Sequence, residues 1–225
     1  NEYTAFGTAI HAVCEKIIVN ESLDGMQIFN SNFKQELSVL QLQGISINQD
    51  LVNDMSRQAE QICNKIVPAL KDYFKNFEVF SVEEKILEDI EEVQSFGKKF
   101  KGFIDMVIKT EDNKYHIIDW KSCSWGWSSY KKTDALTSYQ LTYYKKYFSK
   151  KHNIDPSRIE TYFGLLKRTA KKENVELLRI SSGSKKITNA LKTLENAVIN
   201  INNKNYVKNR LNCKYCKFYQ TENCK

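Results

Sequence analysis

The chain lacks several features that define large classes of proteins. Its 225 residues contain no apolar run long enough to span a membrane and no recognisable signal peptide. They contain no internal repeat and no low-complexity linker. These absences exclude a membrane-spanning helix and a repeat architecture, and we expect a cytoplasmic protein.

Arginine is also scarce, with five residues against 29 lysines in a chain of net charge +7. Lysine, asparagine and isoleucine are enriched together, which is typical of an AT-rich genome. The modest positive charge is compatible with phosphate binding, but most surface lysines are simply solvated.

The six cysteines predict a reducing compartment rather than a disulfide framework. A chain of this length buries a sizeable core and does not need disulfides to fold. Cys213 and Cys216 form a C-x-x-C pair that is followed by Cys224. Three thiolates this close suit zinc or an iron–sulfur cluster with a fourth ligand from elsewhere. Three alternatives stay open for these thiols: an iron–sulfur cluster, a zinc ion, or no metal at all.

The apolar pattern predicts a helical, then a β-rich, then a mixed region within one domain. Helices are predicted over residues 4–19, 33–42, 50–77, 134–150 and 184–202, with Pro68 as a candidate kink in the third. Strands are predicted over residues 77–90, 99–109, 115–122, 159–168 and 175–180. This order predicts an α/β fold with a mixed central sheet flanked by helices.

Two predicted neighbouring strands carry the residues that point most clearly to chemistry. Asp105 lies on the first strand, and Asp119 and Lys121 lie on the second. Asp119 and Lys121 share one face because strand side chains alternate, so Trp120 points the other way into packing. The polar turn at residues 109–114 predicts an antiparallel hairpin that brings Asp105 close to Asp119.

Two carboxylates and a lysine in this arrangement are what a metal-dependent phosphodiesterase needs. The carboxylates hold a hard cation through oxygen, and the cation ionises a water and neutralises charge on the phosphate. The lysine ammonium orients that water or steadies the phosphate. A single D-x-K is common and is usually an exposed ion pair, so the pattern depends on its partners.

The downstream partners lie on the helix predicted over residues 134–150. Gln140 and Tyr144 are four residues apart and so lie on one face of that helix. Helical spacing alone fits equally a solvated glutamine and a core tyrosine. The predicted packing stripe of the helix consists of Leu136, Tyr143 and Tyr147.

A loop rich in aromatic residues follows the second strand. It contains Trp125, Trp127, Tyr130 and Lys131. Aromatic rings interleaved with lysine suit stacking on unpaired bases and contact with phosphates. Packing of the tryptophans on the body of the protein is the alternative.

Taken together, these residues resemble the RecB-like branch of the PD-(D/E)XK nuclease superfamily, over almost the whole chain. The branch includes the nuclease domains of RecB and AddB, CRISPR-associated RecB-like exonucleases and phage exonucleases. Five motifs occur in the family's order: Gly7 to His11, a glutamate at 83 or 84, Gly102 to Asp105, Asp119 to Lys121, and Gln140 with Tyr144. Both glutamates qualify, and Glu84 matches slightly better.

The resemblance implies a role for each of these residues. The implied metal ligands are His11, Glu84, Asp105, Asp119 and the backbone carbonyl of Trp120. It implies that Lys121 acts on the attacking water or the phosphate, and that Gln140 and Tyr144 support the site and contact the substrate. Magnesium is the implied ion, and manganese can replace it.

The resemblance also bears on the cysteines. Several relatives join the C-terminus to an N-terminal cysteine through a 4Fe–4S cluster, with that cysteine upstream of the glycine-to-histidine motif. Here that motif starts at Gly7 and the chain starts at Asn1, so we expect a missing N-terminal segment. Cys14 is the substitute fourth ligand, although a buried apolar role is the more common one for such a residue.

The implied fold is a restriction-endonuclease-like α/β core with a cysteine-bearing C-terminal segment. We expect one nuclease domain over residues 1–225, with a helical part at 1–76, a catalytic core at 77–182 and a C-terminal helix and cysteine segment at 183–225. The implied activity is magnesium-dependent DNA exonuclease activity in recombination, repair or phage DNA processing, in a bacterium or phage-infected cell. A helicase or recombination partner is implied, and no membrane.

Three alternatives stay open at this point. The first is a CRISPR-adaptation-type nuclease that trims DNA, and the second is a nucleic-acid-binding module without catalysis. The third is a structural interaction domain stapled by its cysteines. The intact Asp105, Asp119 and Lys121 argue against the second.

Overall fold

A computed structural model of the chain describes residues 1–205 and 210–224. Three helices come first: α1 (Glu2–Val19), α2 (Gly25–Leu42) and α3 (Gln49–Phe74). Three strands follow: β1 (Phe77–Asp89), β2 (Lys99–Thr110) and β3 (Tyr115–Cys123). The remaining elements are α4 (Ser129–Thr133), α5 (Ala135–His152), β4 (Ile159–Lys167), β5 (Val175–Ile180) and α6 (Ser184–Asn202).

The five strands form one mixed sheet in the order β1-β2-β3-β4-β5. Strands β1, β2 and β3 are antiparallel neighbours, and the predicted hairpin between β2 and β3 is present. Strand β4 runs parallel to β3, because α5 carries the chain back across the sheet between them. The predicted α/β fold with a mixed sheet flanked by helices is therefore confirmed.

Two hydrophobic cores lie on opposite faces of the sheet. The first core joins α1, α2 and α3 to one face and includes Phe6, Met106 and Trp120. The second core joins α5 and α6 to the other face and includes Ile104 and Phe148. The helical part at residues 1–76 thus shares a core with the sheet, while the division of the domain into three parts stays a prediction. Residues 206–209 and 225 of its C-terminal part lie outside the described residues.

Side-chain caps explain where several helices begin, including one boundary that the sequence pattern missed. Asp24 accepts hydrogen bonds from the backbone of Met26 and Gln27, so α2 starts at Gly25 rather than at residue 33. Asp134 caps α5 in the same way. Helix α3 continues through Pro68 as one element to Phe74.

The packing face of α5 also differs from the prediction. Leu136 is 69% exposed, because it lies in the first turn of the helix beyond the core. Tyr147 is buried, as expected, and its neighbours in the second core are Leu141, Tyr144 and Phe148.

No helix among the described residues combines the length and the apolar character that crossing a membrane requires.

Candidate active site

The site lies where β2 and β3 separate. The two strands pair from Lys109 opposite Tyr115 to Met106 opposite Ile118, and the pairing ends there. Beyond that point β2 continues beside β1 and β3 continues beside β4. Asp105 and Asp119 are the first residues after the last pair, so both lie at this fork.

The fork frees a backbone group that fixes one of the carboxylates. The Trp120 N–H has no backbone partner on β2 there and donates a hydrogen bond of 2.6 Å to the side-chain Oδ2 of Asp105. The Trp120 ring is buried in the first core, where it packs against Gly164 of β4. The packing of Trp120 therefore helps to set the position of the Asp105 carboxylate.

The regular alternation of faces breaks at Asp105 and at the residue across from it. Ile104 packs in the second core, but Met106, two residues later, packs in the first. Across from Asp105 on β1, Glu83 has a φ of 47°, a left-handed conformation that is uncommon for a residue with a side chain. This local irregularity leaves the Asp105 carboxyl at the fork instead of inside either core.

Asp119 and Lys121 form a close pair on β3. Lys121 Nζ lies 2.5 Å from Asp119 Oδ2, and Asp119 is 2% exposed. Lys121 is thus the charged partner of a carboxyl that is otherwise buried.

Both carboxyls have raised pKa values for a shared reason. Burial raises the pKa of Asp119 to about 6, with Lys121 opposing the rise and Asp105 adding to it. Burial likewise raises the pKa of Asp105 to about 6, against the Trp120 hydrogen bond and Lys121. Crowded acids of this kind are typical of functional sites.

Helix α1 brings two more titratable groups to the fork. His11 Nδ1 lies 3.7 Å from Asp105 Oδ2. Burial lowers the pKa of His11, although Asp119 acts in the opposite direction. One helical turn later, Glu15 lies against Glu83. Burial raises the pKa of Glu15 to about 7, and the charge and hydrogen bonding of Glu83 raise it further.

Glu15 was missed by the sequence analysis. The signal that could have found it is its spacing of four residues from His11, which places both side chains on one face of α1.

Glu84 does not join this group, and the preference for Glu84 over Glu83 needs correction. Its carboxylate Oε1 lies 2.7 Å from Lys151 Nζ and 2.5 Å from His152 Nε2, at the end of α5. Its other oxygen accepts a hydrogen bond of 2.5 Å from Ser81. Burial favours a higher pKa for Glu84, but Lys151, Ser81 and His152 together hold it below its usual value. The acid on β1 whose charge reaches Asp105 is Glu83.

Gln140 and Tyr144 connect α5 to β2. The Gln140 side-chain amide donates a hydrogen bond of 3.0 Å to the Tyr144 hydroxyl. The Tyr144 ring lies so close to Gly102 that a Cβ there would be 2.8 Å from ring carbon Cε1. A glycine is therefore required three residues before Asp105 for this approach. Burial raises the pKa of Tyr144 to about 12.

The aromatic loop after β3 divides into an exposed part and a packed part. Trp125 and Tyr130 are 78% and 81% exposed. Trp127 instead packs on Phe163 with ring centroids 4.8 Å apart, and Lys131 Nζ lies 4.5 Å from the Trp127 ring centroid. Trp125 and Tyr130 are thus the loop aromatics that are open to a substrate.

The cysteines are all free thiols. Cys14 is buried in the first core, and burial raises its pKa well above its usual value. The Cys216 N–H donates to the Cys213 carbonyl at 2.9 Å in a turn, and Cys216 and Cys224 are exposed. Cys14 therefore does not match the predicted fourth ligand, and a cluster on the C-terminal thiols stays a prediction.

The fork fits a cation held partly by water and substrate rather than a closed protein cage. Within residues 1–205 and 210–224, no three His, Cys, Asp or Glu side chains are arranged to enclose a metal ion. Magnesium, however, is usually bound through one or two carboxylates, and its other ligands are waters and substrate phosphates. The buried Asp119 carboxyl, with the second carboxylate of Asp105 beside it, matches that requirement.

Comparisons with known proteins bear on the family and the fold of the chain. The family model of the PD-(D/E)XK nuclease superfamily matches residues 1–221. No curated protein matches the chain significantly. A crystal structure of a candidate exonuclease from Eubacterium rectale superposes with a TM-score of 0.55 at 13% identity, covering 96% of this chain and 73% of that one. The crystal structure of the protein SSO0001 is less similar, with a TM-score of 0.41 at 17% identity, covering 92% of this chain and 81% of that one. Since the family model spans nearly all of a chain with this fold, the chain belongs to the PD-(D/E)XK nuclease superfamily.

Proposed function

We propose that this protein is a divalent-metal-dependent DNA exonuclease of the RecB-like branch of its superfamily. The observation that carries the proposal is the meeting of Asp105, Asp119 and Lys121 at the fork between β2 and β3. The structurally similar protein from Eubacterium rectale, itself described as a candidate exonuclease, is consistent with this activity.

Asp105 and Asp119 are the proposed ligands of Mg²⁺ or Mn²⁺, together with the backbone carbonyl of Trp120 and the His11 ring. When bound, the cation would supply an activated water and neutralise charge on the scissile phosphate. Glu83 takes the place of Glu84 in this proposal, because the Glu84 carboxylate forms ion pairs with Lys151 and His152.

Lys121 is the proposed catalytic cation of the chain itself. Its ammonium lies 2.5 Å from Asp119 and is about one-third exposed, so it can reach a phosphate oxygen without leaving the site. There it would oppose the negative charge that builds up on the phosphate in the transition state. Glu83 is exposed at the fork and would accept a hydrogen bond from water near that phosphate.

Gln140 and Tyr144 are proposed positioning residues. Tyr144 packs against Gly102 and so supports β2 directly before Asp105. Trp125, Tyr130 and the more packed Trp127 and Lys131 are proposed to contact DNA. A helicase or recombination partner and a C-terminal cluster belong to the proposal only through the RecB-like resemblance.

Cleavage of end-labelled DNA tests the proposal. Linear and closed-circular DNA, each single- and double-stranded, are incubated with Mg²⁺, Mn²⁺ or a chelator. We expect metal-dependent loss of linear DNA only, and its loss in the variants Asp119→Asn and Lys121→Ala, with circular dichroism verifying their folding. Cleavage of closed-circular DNA would indicate an endonuclease instead of an exonuclease. DNA binding without cleavage by the folded parent protein would favour the silent binding module.

A further inference from the structure

The first two strands continue beyond the fork as a two-stranded ribbon. Residues Glu84 to Asp89 of β1 pair there with residues Lys99 to Ile104 of β2. One face of the ribbon is covered: Ile86 and Ile104 are fully buried in the second core, and the Phe100 ring stacks on Tyr147 at 4.4 Å.

The opposite face of the ribbon is open to solvent. It carries Lys85, Leu87, Lys101 and Phe103, which we call the ribbon face, and all four are exposed. Leu87 is 46% exposed and Phe103 is 42% exposed. Two half-exposed apolar side chains alone do not mark a binding site, and it is their arrangement with the two lysines that indicates one.

The pairing register places these four side chains in a compact arrangement. Lys85 lies opposite Phe103, and Leu87 lies opposite Lys101, so the two lysines are diagonal neighbours. Diagonal neighbours of this kind are about 7–8 Å apart in antiparallel sheets. The Lys101 ammonium lies 5.6 Å from the Phe103 ring centroid. Each cation therefore adjoins an apolar side chain.

The lysines of the ribbon face are available for a ligand. Neither Lys85 nor Lys101 has a carboxylate within ion-pair distance among the described residues. Lys99, one position further out on the same face, instead lies 3.4 Å from Asp89. Charge complementarity therefore favours an anionic ligand at Lys85 and Lys101.

An exposed aromatic ring between unpaired lysines matches the chemistry of an unpaired nucleic-acid strand. Lysines contact its phosphates, and the ring stacks on a base, whatever the base sequence. The bases of a duplex are stacked on one another and offer Phe103 no free face. Phe103 is only two residues from Asp105, so a strand on the ribbon face runs directly to the fork.

We propose that the ribbon face binds a single, unpaired nucleic-acid strand and guides it to the fork, with phosphates at Lys85 and Lys101 and a base on Phe103. The inference rests on the proposed nuclease function and adds to it the strand class and the path of the strand. DNA and RNA strands share this chemistry, so the experiment includes both.

Binding without cleavage tests this surface. Fluorescence anisotropy is measured in a chelator, with labelled oligonucleotides of about 15 nucleotides, the upper range of such binding sites. The ligands are single-stranded DNA, single-stranded RNA and duplex DNA. The variants are Phe103→Leu, which keeps an apolar side chain, and the pair Lys85→Gln with Lys101→Gln. Lys99→Gln, the lysine that already has an acidic partner, is the matched control.

We expect Phe103→Leu to weaken single-strand binding on the order of tenfold, as the loss of one base–aromatic stack does. We expect the double lysine variant to reduce the slope of log K against log salt by about 1.4, from two phosphates on a single strand. Lys99→Gln should bind like the parent protein. Equal losses of affinity for single-stranded DNA and single-stranded RNA would support the ribbon face as the binding surface for an unpaired strand.

Other results overturn it. The ribbon face would be refuted as a site for an unpaired strand by any of three results. Both variants bind like the parent protein, or the parent protein does not bind single strands, or the variants lose binding to duplex DNA as much as to single strands. The two proposals fail separately: if the parent protein cleaves DNA but the variants bind normally, only this inference is lost. If the variants lose binding and the folded parent protein never cleaves, only the nuclease proposal is lost.

Discussion

Replacing Gly164 by alanine should disturb both the core and the site through one contact. Parallel pairing puts Gly164 of β4 opposite Trp120 of β3. A Cβ at position 164 would lie 2.2 Å from Cε3 and 2.4 Å from Cζ3 of the Trp120 ring. The ring is 1% exposed and is packed in the first core. Either the ring or the strand must therefore move.

The size of the effect follows from this overlap. Overpacking of a core typically costs about 1–3 kcal/mol, and an overlap with a rigid buried ring belongs at the upper end, so we expect about 3 kcal/mol. Trp120 also holds Asp105 by a 2.6 Å hydrogen bond, so cleavage should fall along with stability.

Urea unfolding measures the stability change. We expect a lower midpoint with an unchanged m-value, since the surface exposed on unfolding stays the same. Gly183→Ala is the matched control, because a Cβ there meets no atom within 4 Å. Loss of glycine at this helix N-cap should cost less than about 1 kcal/mol.

Two results would refute the reasoning. One is a Gly164→Ala cost no larger than that of Gly183→Ala. The other concerns a second change, Trp120→Phe, which removes much of the ring that the new Cβ would strike. The double variant should lose clearly less stability than the sum of the two single variants, and additive losses would contradict the contact.

The remaining predictions concern charge and the cysteine. Because burial raises the pKa of Asp105 and Asp119 to about 6, the native metal-free protein binds protons more tightly than the unfolded chain. Their contribution to stability is therefore greatest below about pH 4 and is lost as pH rises through about 6. Urea unfolding in a chelator should show that the free energy of unfolding of the parent protein falls, relative to that of Asp119→Asn, by on the order of 1–3 kcal/mol as the pH rises from about 4 to above about 6. Added Mg²⁺ should remove this difference. A constant difference would contradict this. Glu83→Gln should lower the cleavage rate on the order of a hundredfold, whereas Glu84→Gln should retain cleavage and lose about 1 kcal/mol of stability; the opposite ranking would restore Glu84 to the site. Cys14→Ala should leave the iron and zinc content per chain unchanged in metal analysis, because that thiol is enclosed in the first core, and a drop would reinstate it as a ligand.

Much of the fold was accessible from the sequence because its elements are long and regular. Strands β2 and β3 are apolar-rich segments on either side of a short polar turn, which allows one simple pairing. The main boundary error concerned helix α2, which begins at Gly25 after the Asp24 cap and not at residue 33.

Much of the candidate site was also visible in the sequence, as residue types in a particular order. Asp105, Asp119, Lys121 and His11 do converge, because each lies on an element whose face follows from its spacing. Glu15 was not found, because the partner that brings it to the fork, Glu83, is distant in the sequence.

Only the tertiary structure shows that Glu83 and Glu84 lie in different surroundings. Alternation predicts the face of a strand residue only while the strand is regular, and the left-handed backbone at Glu83 interrupts it. The same limit applies to the aromatic residues, since Trp127 packs on Phe163 while Trp125 and Phe103 stay exposed.

The sequence by itself thus determined the order of the elements, the hairpin and four of the polar residues that meet at the fork, namely His11, Asp105, Asp119 and Lys121. These depend on local periodicity, turns and caps, which act over a few residues. Only the tertiary structure decided that α1, α2 and α3 cover just part of their side of the sheet and leave the ribbon face of Lys85, Leu87, Lys101 and Phe103 bare. Covering or exposing a face depends on contacts between segments far apart in the chain, and no local pattern encodes which of them will meet.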